Sequence, residues 1–183
     1  MCLDKKPLAK VSDVAALRRL YHSAFPKEEQ MPWWLLRLIS LRRDMGVFGF
    51  YEGDRLRGLT VSVATEEVLF LLFLAIPEDC RGEGWGSAIL QQLKKEYPGR
   101  TILLNVELLD PAAENYDQRV QRMRFYRKNG FYDTGFDIDE VGGTFRVLGT
   151  KPGLDVAAYL RVFGKLSFGV WKPYIREGKT YDL

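Results

Sequence analysis

The sequence predicts a mixed α/β fold in which antiparallel strands come first and a parallel pair joined by a helix follows. Three observations point to it. A continuous apolar run, Val68 to Ile76, reads as a strand buried on both faces. A cluster of glycines follows, and then a helical pattern with Ile89, Leu90, Leu93 and Tyr97 on one face. Upstream, two strand-like runs flank the turn signal Glu52-Gly53-Asp54.

Composition bounds the class. A chain of 183 residues suits one domain with an adequate core, expected over 1–183 with its core at about 7–150 and an extension at 151–183. Hydrophobic content of 46% and charged content of 28% are ordinary for a globular protein. The net charge of +3 demands neither a nucleic acid nor an acidic membrane surface. Two cysteines, Cys2 and Cys80, argue against a disulfide framework and a structural zinc site, and one histidine, His22, forms no metal cluster, so no metal is expected. The longest apolar run is too short to cross a bilayer and no signal peptide is visible, which leaves the cytoplasm as the expected compartment.

In order, Pro7 to Val11 reads as a short strand, and Ser12 or Asp13 can cap a helix with Val14, Leu17, Leu20 and Tyr21 on its apolar face. Pro26 closes it. Lys27-Glu28-Glu29-Gln30-Met31-Pro32 is a polar connector, and Trp33 to Arg43 reads as a second helix. Val47 to Tyr51 and Leu56 to Ala64 make the hairpin. After the central run, Tyr97-Pro98-Gly99 stops the helix, and Thr101 to Leu109 is the next strand. A strand–helix–strand unit of this length implies a parallel pair. Gln118 to Lys128 reads as a helix with five basic residues, which suit a solvated face or a phosphate contact; without aromatic interleaving they do not read as an RNA surface. Asn129-Gly130 caps it. Phe131 to Phe136 and Thr144 to Leu148 read as strands, and Leu154 to Lys165 as a last helix. The aromatic tail, Phe168 to Ile175, either packs back on the domain or serves a homodimer interface.

The chemistry concentrates at Arg81-Gly82-Glu83-Gly84-Trp85-Gly86. The first N–H groups of a helix lack internal partners and the dipole makes that end positive. Glycine permits φ > 0 and close approach of a ligand to the backbone. The same residues fit an anion site for phosphates, with Arg81 adding a charge, and also a plain strand-to-helix turn. Neither the dinucleotide fingerprint nor a P-loop is present. Cys80 precedes the turn, where a nucleophilic thiol is conceivable, but no histidine is placed to serve it. In the strand after the helix, Asn105 and Glu107 point the same way and Val106 the other.

Arg81, Gly84 and Gly86 match the pattern Gln/Arg-x-x-Gly-x-Gly/Ala, and Tyr126-Arg127-Lys128-Asn129-Gly130-Phe131 contains Tyr-x-x-x-Gly-Phe. Together and in this order they resemble the signature of the GNAT superfamily of N-acetyltransferases, most clearly from about Val47 to Val147. The resemblance implies a mostly antiparallel sheet with a splayed central parallel pair and acetyl-CoA as cosubstrate. It implies backbone groups of Leu74, Ala75 and Ile76 for the pantetheine arm, and N–H groups from Gly82, Glu83, Gly84, Trp85, Gly86 and Ser87 for the pyrophosphate. It implies Tyr126 as general acid to the leaving thiolate and Glu107 as the base. Glu28, Glu29 and Asn105 would meet a small-molecule or peptide amine acceptor. The sequence departs from the family at the cofactor-contacting Asn: that slot holds Arg119, with Asn115 further upstream. An acyltransferase is the expectation; a non-catalytic acyl-CoA-binding or interaction module on the same fold is the alternative.

Overall fold

A computed structural model describes residues 3–27, 29–140, 143–167, 169, 172–179 and 181. Its main elements are β1 (Asp4–Pro7), α1 (Val14–Ala24), α2 (Trp33–Ile39), β2 (Met45–Glu52), β3 (Arg55–Ala64), β4 (Val68–Ala75), α3 (Trp85–Glu96), β5 (Thr101–Glu107), α4 (Tyr116–Lys128), β6 (Tyr132–Glu140), β7 (Gly143–Gly149), α5 (Val156–Leu166) and β8 (Tyr174–Glu177). The strands hydrogen-bond in the order β1-β2-β3-β4-β5-β7-β6-β8. Antiparallel pairing joins β1 to β2, β2 to β3, β5 to β7, β7 to β6 and β6 to β8. β4 and β5 are parallel over a short ladder, Val68, Leu69 and Phe70 opposite Thr101, Ile102 and Leu103. This is the mixed, mostly antiparallel fold with one central parallel pair that the motifs imply.

The chain divides into two compact units, Met1–Ala64 with Leu71–Pro98, and Thr65–Phe70 with Gly99–Leu183. In the first, the opening strand lies earlier than expected: Asp4–Pro7 pairs with β2, and Leu8–Lys10 is a tight 3-10 turn closed by Val11 N–H on the Leu8 carbonyl. Pro7 accounts for the shift, because it lacks the N–H needed to continue a ladder and takes the last strand position. Asp13 caps α1 by accepting from the Ala16 N–H at 2.8 Å. α2 ends at Ile39, four residues before the expected Arg43, because Leu41 and Arg42 fold into tight turns onto Leu38 and Ile39 and Arg42 pairs with Asp44. The β2–β3 hairpin closes on Gly53 at φ +58. Leu17, Tyr21, Leu36, Phe50, Leu59 and Ile89 are fully buried and form the core. α3 rests closely on the sheet: a Cβ on Gly58 would come within 2.5 Å of Ile89 Cδ1.

In the second unit α4 starts at Tyr116, two residues before the expected Gln118, and turns Met123 and Tyr126 inward. Asp155 caps α5 by accepting from the Ala158 N–H at 2.9 Å. Phe70, Tyr159 and Phe163 make an aromatic cluster with ring centroids 4.9–5.8 Å apart. β6 runs to Glu140, beyond the expected Phe136, by breaking register between Asp133 and Asp137 around Gly135 at φ +81. The tail contributes β8 at the edge of β6. Phe168, Val170 and Trp171 lie outside the described residues. Arg146 is buried on β7 and fastens this end: it bonds Asp137 at 2.7 Å, Asp133 at 2.9 Å and the Lys179 carbonyl at 2.5 Å, with the Tyr181 ring 4.9 Å from its guanidinium.

Candidate active site

In the first unit, β4 leads into the glycine turn. Pro77 ends the strand, a 3-10 turn covers Glu78–Cys80, and Gly84 becomes the N-cap of α3 at φ +90. Gly82 lies at φ +79. Both values belong to the left-handed region that only glycine enters cheaply. No side chain caps α3, so its first N–H groups are left for another acceptor. A Cβ on Gly82 would meet nothing within 4 Å, so the space over the turn is open. Arg81 is exposed and makes no ion pair among the described residues. Trp85 and Gly86 are buried, Glu83 is exposed and Ser87 is half-buried. A cavity of about 560 Å³ runs along α3, lined by Gly84, Ser87, Ala88, Gln91, Gln92 and Lys95, with Leu3 beside them. Leu74 and Ile76 are half-buried at the end of β4, and Ala75 between them is buried. An open positive helix terminus with two left-handed glycines fits a pyrophosphate.

A buried guanidinium stands behind this turn. Arg57 is 8% exposed. It donates to Glu52 at 2.6 Å and to Cys80 Sγ at 3.2 Å, and stacks 4.5 Å over the Trp85 ring. These two bonds raise its pKa above the ordinary arginine value, the Cys80 contact most. Sequence reading missed Arg57; in β3 it follows a second arginine, Arg55, near the hairpin, and nothing in the local pattern marks it for burial.

In the second unit Tyr126 is buried on α4 between the edges of Phe125 and Phe131, with ring centroids 5.1 and 5.5 Å away. Burial pushes its pKa up to about 12, and the charge of Arg122 pulls weakly the other way. The phenol is therefore protonated at neutral pH. Glu107, at the end of β5, is enclosed by α4: its Oε1 accepts from Asn115 at 3.0 Å and lies 3.5 Å from Arg119, and its Oε2 pairs with Arg122. Arg119 also holds Asn115 and the Leu108 carbonyl at 2.7 and 2.8 Å. Arg119, which takes the family's Asn slot, and Asn115 upstream of it thus both contact Glu107. Asn105 donates to Glu140 at 2.6 Å and bonds the Tyr159 hydroxyl at 3.0 Å. Burial, reinforced by Glu140, raises the Tyr159 pKa well above the ordinary value. Glu140 and Tyr159 are polar partners the sequence did not single out; the segment holding Glu140 read as a loop.

Glu29 is half-buried in the α1–α2 connector, where its N–H bonds the Pro26 carbonyl. The connector is fastened by Gln30, which contacts His22 Nδ1 and donates to the Phe25 carbonyl, both at 2.6 Å. Glu28 lies outside the described residues.

No curated protein sequence matches the chain. Solved structures of low identity share its fold. A GNAT-family protein from Bacteroides thetaiotaomicron superposes with a TM-score of 0.72 at 20% identity, covering 93% of this chain and 100% of that one. The ribosomal-protein-S18-alanine N-acetyltransferase of Escherichia coli gives 0.59 at 15% identity, over 84% and 96% of the two chains. An acetyltransferase of Bacillus subtilis, solved with CoA, gives 0.56 at 17% identity, over 84% and 99%. The family model described as the acetyltransferase (GNAT) family matches residues 14–131, well over half of the sequence and both motifs. Acetyl-CoA is the acetyl donor of that family. With the short parallel ladder and the open glycine turn in place, the chain belongs to the GNAT acetyltransferase family.

Proposed function

We propose that this chain is an acyl-CoA-dependent N-acetyltransferase that moves an acetyl group to a primary amine by direct attack. The observation that carries the reading is the uncapped, open N-terminus of α3 with Gly82 and Gly84 in left-handed conformations. Bound there, acetyl-CoA supplies the acetyl group as a thioester. N–H groups from Gly82 to Ser87 hold its pyrophosphate with Arg81, and backbone groups of Leu74, Ala75 and Ile76 hold its pantetheine arm as an added strand.

The protein's own groups handle the protons. A lysine-like amine has a pKa near ~10.4, so presenting it neutral at pH 7 costs about 4–5 kcal/mol. Glu107 takes that proton, with the acceptor ammonium replacing Arg122 at its Oε2. Arg122 is suited to leave, because its side chain is 44% exposed whereas that of Glu107 is 18% exposed. Glu28, Glu29 and Asn105 attract and orient the acceptor. As the carbon–sulfur bond breaks, Tyr126 offers its proton to the sulfur. Full transfer from a phenol at about 12 to a thiolate near ~8.5 runs uphill by roughly 5 kcal/mol, so the proton moves toward sulfur only as charge develops. A cytoplasmic single-domain enzyme completes the reading.

Titration calorimetry with CoA tests the donor site. Micromolar binding by the intact chain, abolished in Gly84→Val, is expected. No binding by the intact chain overturns the reading.

A further inference from the structure

The glycine turn carries a carboxylate at its centre, between two glycines whose left-handed backbone opens the site to anions. A free glutamate there would repel the phosphates the turn is shaped to hold. The structure shows how its charge is managed. Trp85 Nε1 donates to Glu83 Oε2 at 2.7 Å, and Arg57 Nη1 lies 3.8 Å from the same oxygen. Arg57 in turn stacks over Trp85 and bonds Cys80 on the preceding 3-10 turn.

Arg57 reaches this position through a local irregularity of the sheet. On the β2–β3 ladder Phe50 pairs with Gly58 and Tyr51 with Leu56, so Arg57 is the extra residue without a Cα partner on β2. Such a bulge re-aims one side chain. Here it buries a guanidinium whose Nε has no hydrogen-bond partner among the described residues. A buried polar atom without a partner is costly, so this placement is not favoured by packing alone. What the placement does provide is one cation that touches both flanks of the turn, Cys80 before the glycines and Trp85 after them, together with the acid between them.

We infer that Arg57 and Trp85 are positioning residues for acetyl-CoA: the Trp85 N–H draws the Glu83 carboxylate back from the turn and Arg57 partly screens its charge, which leaves the backbone N–H groups free for the pyrophosphate. The inference rests on the reading of this turn as the pyrophosphate site. Arg57 also bonds Glu52, at 2.6 Å, so its single charge is shared between two carboxylates and screens Glu83 in part.

The test is a cycle of CoA binding by calorimetry on Trp85→Phe, Glu83→Gln and the double variant, in full-length protein. Trp85→Phe keeps an aromatic ring at this buried position but removes the N–H together with part of the indole, and Glu83→Gln restores only the loss that comes from the freed carboxylate. A released carboxylate weakens CoA binding by roughly three- to tenfold at low salt, as for one charge several ångströms from a phosphate at intermediate dielectric. Four results are expected together: CoA affinity falls in Trp85→Phe, the loss is restored when Glu83→Gln is added, the loss shrinks at 0.5 M salt, and the KM for acetyl-CoA rises while the KM for the amine stays constant. A purely structural tryptophan predicts a loss that Glu83→Gln does not restore and that salt does not reduce, which overturns the inference. Equal CoA affinity in the wild type and Trp85→Phe also overturns it while leaving the cofactor reading intact. Absence of CoA binding by the wild type removes both.

Discussion

Arg122 pairs with Glu107, and the same guanidinium lies close enough to Tyr126 to bias its phenol toward ionisation. The proposed base and the proposed acid therefore share one arginine, and its replacement separates their roles. The pair itself is worth about 1 kcal/mol or less, because the Arg122 side chain is partly solvated.

Arg122→Gln frees Glu107 Oε2 for the acceptor. The expected outcome is a several-fold lower KM for a cationic amine with the melting temperature nearly unchanged. Glu107→Gln is expected to lower turnover by roughly tenfold or more while CoA affinity is kept. Steady-state kinetics and calorimetry on both variants check this; an unchanged rate in Glu107→Gln removes it from the mechanism and leaves it as the anchor of α4 on β5.

The glycine turn predicts a conformational penalty of its own. Gly84 sits at φ +90, where a β-branched residue costs roughly 1–2 kcal/mol, so Gly84→Val should lower the melting temperature and also remove the rise that CoA gives the wild type. Retained CoA stabilisation in a folded Gly84→Val places the phosphates elsewhere.

The pH profile follows from Tyr126. A phenol that must act protonated, with its pKa raised by burial to about 12, stays competent across the range in which the amine deprotonates. The kcat/KM for the amine should rise from neutral pH toward the amine's own pKa, without a falling limb near 10. Stability carries the opposite sign at high pH. The folded form holds the Tyr126 proton more tightly than the unfolded chain, so that stabilisation is complete below about 10 and is lost as pH climbs toward about 12. Melting curves from pH 8 to 12, on the wild type and Tyr126→Phe, check the difference.

Arg146 carries the largest single stability prediction. Its partners Asp133 and Asp137 are buried with it, so Arg146→Leu strands two carboxylates and should cost about 3–5 kcal/mol. It should also release residues 174–181, whose Lys179 carbonyl and Tyr181 ring the guanidinium holds. Limited proteolysis reads the second effect: cleavage within 174–181 at the wild-type rate contradicts it.

Local signals carried much of this. The apolar run, the glycine hinge, the Asp13 cap and the Asn129-Gly130 stop are short-range devices, and β4, α3, α1 and the end of α4 appear where those residues put them. What escaped was set by tertiary pairing. The second half of β6 is polar, Asp137-Ile138-Asp139-Glu140, and is a strand because β7 and β8 flank it and Arg146 neutralises Asp137. β8 has no pattern beyond four residues and exists through pairing with β6. At the candidate site, the family resemblance singled out Arg81, Gly84, Gly86 and Tyr126 as candidates. The cations around Glu107 and the reach of Arg57 to Cys80 and Trp85 depend on side chains separated by many residues, which spacing does not encode.

Release of free thiol from acetyl-CoA, measured across a panel of primary amines with the wild type and Tyr126→Phe side by side, tests the account most directly. The account predicts amine-dependent thiol release by the wild type. It also predicts a loss of about 10²–10⁴-fold in turnover for Tyr126→Phe, with CoA affinity and melting temperature nearly kept. A wild type that binds CoA but releases no thiol with any amine contradicts acetyl transfer, and a stable Tyr126→Phe with undiminished turnover contradicts the role of its phenol.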